Sequence, residues 1–116
     1  MSKLNLFRTR RIPVHEAEIL YAGTARNVAN FIEKEVKLLN ECLRDFKKIY
    51  GLIIESDSSD STIENLEKLK HDIPNFQYIS YANLSKKMPK RTERLAYCRN
   101  RVIQELRENP IYVNVN

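Results

Sequence analysis

The sequence predicts an α/β fold, a three-layer α/β/α arrangement with a mostly parallel sheet between helices. Three observations carry this expectation. Short apolar runs alternate with stretches whose apolar residues recur every three or four positions, the mark of amphipathic helices. The triplet Leu52-Ile53-Ile54 is uninterrupted, as in a strand covered on both faces. The order strand–helix repeats three times, and such alternation builds a parallel sheet through right-handed crossovers.

The elements follow in order. Residues 1–17 are polar and basic, and Pro13 breaks any helix there, so an irregular basic N-terminal arm is expected ahead of one α/β domain over 18–116. Ile19–Ala22 reads as a first strand ending in a turn at Gly23. From Arg26 to about Ile49, Val28, Phe31, Ile32, Val36, Leu39, Leu43 and Phe46 have helical spacing, and Gly51 stops that helix. The second strand is Leu52–Ile54. A polar run from Glu55 to Thr62 follows, in which Ser61 and Glu64 have capping-box spacing and Asp60 is an alternative cap. The next helix carries Ile63, Leu66, Leu69 and Ile73 inward and stops before Pro74. Phe76–Tyr81 is the third strand, and Leu84–Lys90 is a basic loop. The third helix begins near Arg91, turns Leu95, Cys98, Val102 and Leu106 inward, and ends at Asn109-Pro110. Ile111, Val113 and Val115 alternate like the start of a fourth strand or an extended tail.

The composition excludes several classes. With 116 residues, 42% of them hydrophobic, the chain suits one domain with a real core. Two Gly and four Pro rule out collagen-like and low-complexity chains. No apolar run approaches the ~20 residues of a membrane span, and the N-terminus has no apolar signal core. A cytoplasmic protein is the expectation. Cys42 and Cys98 fit no metal-ligand or disulfide pattern and are expected to be buried thiols. His15 and His71 read as single surface histidines. The net charge of +5 points to an anionic partner.

In parallel α/β sheets, ligands bind outside the carboxyl ends of the strands. Three segments there carry candidate residues. The first βα turn holds Ala22, Gly23 and Arg26; a cation near a helix N-terminus opposes the macrodipole, which suggests a task for Arg26. The acidic-serine run holds Glu55, Ser56 and Asp57. Its carboxylates can accept hydrogen bonds from ribose or base groups, and its serines and helix N–H groups can hold a phosphate. On the last helix Arg91, Arg94 and Arg101 fall within roughly a quarter turn, a guanidinium stripe suited to phosphate.

Taken together, Ile53-Ile-Glu-Ser-Asp-Ser-Ser-Asp-Ser-Thr62 and Arg91-Thr-Glu-Arg-Leu-Ala-Tyr-Cys-Arg-Asn100 resemble the GT-A-fold glycosyltransferases. The resemblance is strongest to the branch of capsule-associated mannosyltransferases and their bacterial and viral relatives, and covers about Ile19 to Ile111. It implies the Rossmann-like N-terminal half of a GT-A fold binding a nucleotide-sugar donor, GDP-mannose or a UDP-sugar, for transfer to a glycan acceptor. By the resemblance, Glu55 contacts the nucleoside, Ala22 and Gly23 lie along the nucleotide, and Arg94 and Asn100 lie near its ribose and phosphates. Glu55-Ser56 stands where many relatives have two aspartates, and Ser61 where many have Gly. The family's metal-binding Asp-x-Asp normally follows the strand after this helix, whereas the sequence ends at Asn116. The expectation is therefore a part of a longer enzyme, inactive or incomplete alone. No catalytic residue and no metal ligand is assigned, and Mn²⁺ or Mg²⁺ is expected in the full-length enzyme but not held by this chain. Two alternatives stand beside it. One is a basic nucleic-acid-binding module using Arg8–Arg11 and Lys86–Arg101. The other is a non-catalytic interaction fragment, whose open last strand invites a homodimer.

Overall fold

The computed structural model describes residues 12–115. Its elements are β1 (Glu18–Ala25), α1 (Ile32–Cys42), β2 (Lys48–Ser56), α2 (Thr62–Asp72), β3 (Phe76–Tyr81), α3 (Leu84–Lys87) and α4 (Arg91–Glu108). Short 3-10 helices at Val14–Glu16 and Pro110–Tyr112 flank them. The sheet has the order β1-β2-β3, all parallel, with Ala25 beside Glu55 and Ser56 beside Tyr81. The expected α/β class is what forms.

Period two in the strands sorts the core into two layers. On one side Ala25, Ile53 and Phe76 pack against Ile32 and Val36 of α1 and Leu66 and Leu69 of α2. On the other, Leu52 and Ile54 pack against Leu84 of α3 and Cys98 of α4. The connections after β1 and β2 thus run over one face, and the connection after β3 runs over the other. That reversal places the start of α4 above the carboxyl ends of the strands.

Several boundaries differ from the sequence expectation. β1 continues through Gly23 to Ala25, because its partner β2 is itself longer than the apolar triplet. Gly51 is no helix stop; it sits inside β2, where an added Cβ would lie 2.5 Å from the Tyr21 ring and 2.8 Å from Phe76 Cδ1. The first helix begins at Ile32 rather than Arg26, since Asn27 takes a left-handed turn (φ 52°) and the next amides bond to another loop. It ends at Cys42, after which Lys47 N–H donates to Ala17 O and feeds the chain into β2. Leu43 and Phe46 owe their apolar spacing to partial burial of that connection. Asn27, Asp57 and Asn75 carry positive φ and turn the chain next to strand ends, a task their short polar side chains tolerate.

No fourth strand forms at 111–115. Pro110 starts a 3-10 turn, Asn109 Oδ1 accepts from Ile111 N–H, and Tyr112 buries its ring edge-on against Tyr50. Ile111 and Val113 are the exposed residues, the reverse of the expected phase. Among the described residues, the sheet edges are therefore β1 and β3. The described part of the N-terminal arm, Ile12–Ala17, contains the Val14–Glu16 turn, and residues 1–11 lie outside the described residues. Cys98 is buried as expected, but Cys42 is exposed. His71 is on the surface beside Glu67, 3.4 Å away. No helix among the described residues is long and apolar enough to cross a membrane.

Candidate functional site

The reversal of connections opens a cleft of about 240 Å³ at the carboxyl ends of β1 and β2. Thr24, Ala25, Arg26 and Val28 form one wall, Ser56 the floor, and Arg91, Arg94, Leu95 and Cys98 of α4 the other wall. Four of the expected site residues, Arg26, Ser56, Arg91 and Arg94, are thereby brought together from three separate segments. The lining holds three guanidinium groups and no carboxylate. α4 is 18 residues long and presents its N-terminal, electropositive end here.

The arginines differ in how they are held. Arg94 Nη1 donates to Met88 O at 3.0 Å and Pro89 O at 2.7 Å, which fixes the loop before α4 and orients the side chain. Arg26 and Arg91 make no side-chain hydrogen bond or ion pair among the described residues. Elsewhere, Arg44 pairs with Glu41 and Arg101 with Glu105 at 2.9 Å. Arg101, the third member of the expected stripe, is two to three turns from Arg91 and Arg94 and does not line the cleft.

The acidic residues of the run after β2 turn elsewhere. Glu55 and Ser56 point to opposite faces of the sheet, so only Ser56 reaches the cleft. Glu55 is 0% exposed. Its Oε2 accepts from Ser58 N–H at 2.8 Å and its Oε1 from the Ser80 hydroxyl. Asp57 accepts from Ser85 N–H at 3.0 Å and from Ser85 Oγ at 2.9 Å, serving an orphan amide in the first turn of α3. Asp60, rather than Ser61, caps α2: its Oδ1 accepts from Thr62 N–H at 2.9 Å and from the Thr62 hydroxyl. These bonds, that of the Thr62 hydroxyl first, hold the Asp60 carboxyl below its ordinary pKa of 3.8.

The rest of the run fastens the first loop to the second. Asn27 N–H donates to Ser58 Oγ at 3.0 Å, Val28 N–H to Thr62 Oγ1 at 2.9 Å and Ala29 N–H to Asp60 Oδ2 at 3.2 Å. Asn27 Oδ1 accepts from Ser59 N–H at 2.7 Å, and Asn65 Nδ2 donates to Ala29 O at 2.9 Å. The polar run therefore explains itself largely as a latch. Its effect on the site is to fix the segment that carries Arg26.

The remaining expected residues lie outside the cleft. Ala22 and Gly23 border a neighbouring groove with Arg99, Val102 and Ile103, joined to the cleft through Thr24. Asn100 is exposed on the outer surface of α4 beside Gln104 and Arg107. Thr24, Ala25, Val28, Leu95 and Cys98 also line the cleft, outside the candidates the sequence suggests; the last two are expected from the sequence to face the core. Cys98 is 2% exposed, and burial, more than its neighbours, pushes its thiol pKa up. A thiol so held is a poor nucleophile.

A divalent cation does not fit this lining. Hard cations take carboxylate and carbonyl oxygens, whereas the cleft offers three cations, two hydroxyls and a protonated thiol. No cluster of three or more His, Cys, Asp or Glu suited to a metal occurs among the described residues. No protein-family model, curated protein or solved structure matches the chain.

Proposed function

We propose that this chain binds the phosphates of a nucleotide-sugar and forms the donor-binding part of a mannosyltransferase-like glycosyltransferase. The observation that carries the reading is the cleft of Arg26, Arg91 and Arg94 at the carboxyl ends of β1 and β2. Guanidinium groups match phosphate oxygens bidentately, and the cleft holds three of them, none with a carboxylate partner among the described residues. The volume, about 240 Å³, is below the ~300 Å³ at which clefts begin to enclose drug-sized ligands. It suits a diphosphate, with the nucleoside and the sugar extending beyond it. The groove along Ala22, Gly23 and Thr24 offers one direction of extension. The choice of a nucleotide-sugar rests on the sequence resemblance at Ile53–Thr62 and Arg91–Asn100, and GDP- and UDP-linked donors are both consistent with it.

In this reading Arg26 and Arg91 supply charge, Arg94 supplies a fixed donor, and Ser56 and Thr24 supply hydroxyls. Glu55 shapes the loop. Calorimetry with GDP, UDP, GDP-mannose and UDP-sugars tests it, and weak but saturable binding is expected. An absence of heat with every nucleotide at millimolar concentration would remove the donor site. The open edges of β1 and β3 make self-pairing part of the same proposal; a clean monomer in sedimentation would remove that part.

A further inference from the structure

We infer that the cleft takes its diphosphate as the free anion, with guanidinium groups in place of a divalent cation; this rests on the nucleotide reading above. A diphosphate bound to protein needs its charge offset, and enzymes do so with metal ions, with Arg and Lys, or with both. Here the lining decides between them. Arg26, Arg91 and Arg94 converge on a space with no carboxylate to hold a cation against them. The acidic groups nearest in sequence are committed elsewhere, Glu55 to Ser58 and Ser80, Asp57 to Ser85. A Mg²⁺ ion entering the cleft would face three like charges without an anionic ligand among the described lining residues. The positive end of α4 adds to that repulsion.

The arrangement also predicts what a metal does to binding. Mg²⁺ chelates a nucleoside diphosphate in solution and lowers its negative charge, so it competes with the arginines for the same oxygens. Affinity is therefore expected to be highest in chelator and to fall, or stay level, as Mg²⁺ is added. It should also fall as salt rises, because the partners are exposed charges.

The experiment is calorimetric titration of the chain with GDP and with UDP, in excess EDTA and in saturating Mg²⁺ or Mn²⁺. Saturable binding in EDTA, weakened roughly tenfold or more by Arg91→Ala or Arg26→Ala, supports the inference. Arg107→Ala, on the outer surface of α4 and away from both the cleft and the groove, is the control and should leave the affinity within about twofold. Binding that appears only with the metal would overturn the inference while leaving the nucleotide reading intact. No binding in either condition would overturn both. Binding in EDTA that neither arginine variant weakens would move the ligand out of this cleft and overturn the inference too.

Discussion

Glu55 separates a residue that shapes the site from one that touches the ligand. Its carboxylate is closed to solvent and accepts from Ser58 N–H and the Ser80 hydroxyl. In Glu55→Ala, the Ser58 amide loses its partner, which costs about 1–3 kcal/mol. The lost methylenes and the space left behind add about 1–2 kcal/mol, whereas the exposed Ser80 hydroxyl can turn to water. A total near 3 kcal/mol is a large part of the ~5–15 kcal/mol that stabilises a domain. In Glu55→Gln the amide oxygen still accepts from Ser58, and the amide nitrogen can donate to Ser80 Oγ. Only the charge assistance is lost, about 1 kcal/mol, and part of that returns because no charge is buried. Urea denaturation followed by far-UV circular dichroism reads the difference. With a slope of about 1.5 kcal/mol/M, the midpoint should fall by roughly 2 M for Ala and under ~0.7 M for Gln. Equal losses for the two variants would falsify the hydrogen-bonding account. Calorimetry completes the test: Glu55→Gln should keep its nucleotide affinity, and a folded Gln variant that no longer binds would make Glu55 a direct contact.

Four further outcomes are expected. Asp60 has a lowered pKa in the fold, so its contribution is present above the ordinary carboxylate range and is lost as pH falls through the lowered value. Melting temperatures of the native chain and Asp60→Ala should therefore differ at neutral pH and converge in acid, and a constant gap would contradict this. Gly51→Ala should cost about 1–3 kcal/mol, because the new methyl meets Tyr21 and Phe76 and disturbs the Asn40–Tyr21 bond; unchanged denaturation would show that the strand yields. Leu66→Ala, at a position 0% exposed, should cost about 2–5 kcal/mol in the same assay, and a smaller loss would mean that α1 and α2 close over the gap. A thiol reagent should modify Cys42 quickly and Cys98 only on unfolding; two fast thiols in the native chain would place Cys98 at the surface.

The layers of this fold were legible in the sequence because apolar periodicity records burial. Leu52–Ile54 marked the central strand, and Leu66, Leu69 and Cys98 marked the inward faces of their helices. Boundaries were less legible where burial and helicity part company. Val28, Leu43 and Phe46 are spaced like a helix but belong to connections. Gly51 signals a stop by composition, yet its small size serves a crowded strand interior. For the site, the rule that ligands gather at strand carboxyl ends brought Arg26, Ser56, Arg91 and Arg94 into one group before their positions were known. It could not separate Glu55 from Ser56 without the register of β2, nor assign Ser58, Thr62 and Asp60 to Asn27, Val28 and Ala29 across about thirty residues. Those bonds join two loops, and no local pattern encodes them.

That latch has a consequence for how the molecule breathes. Surface loops ordinarily surrender their amide protons to solvent one by one. Here the protons of Asn27, Val28 and Ala29 are held by Ser58, Thr62 and Asp60, whose own loop is held in return by Asn27 Oδ1 at Ser59 N–H, while Ala29 O accepts from Asn65 of α2. Neither loop can open without releasing the other. The loops after β1 and β2 are therefore expected to exchange together, with Arg26 carried on their rim.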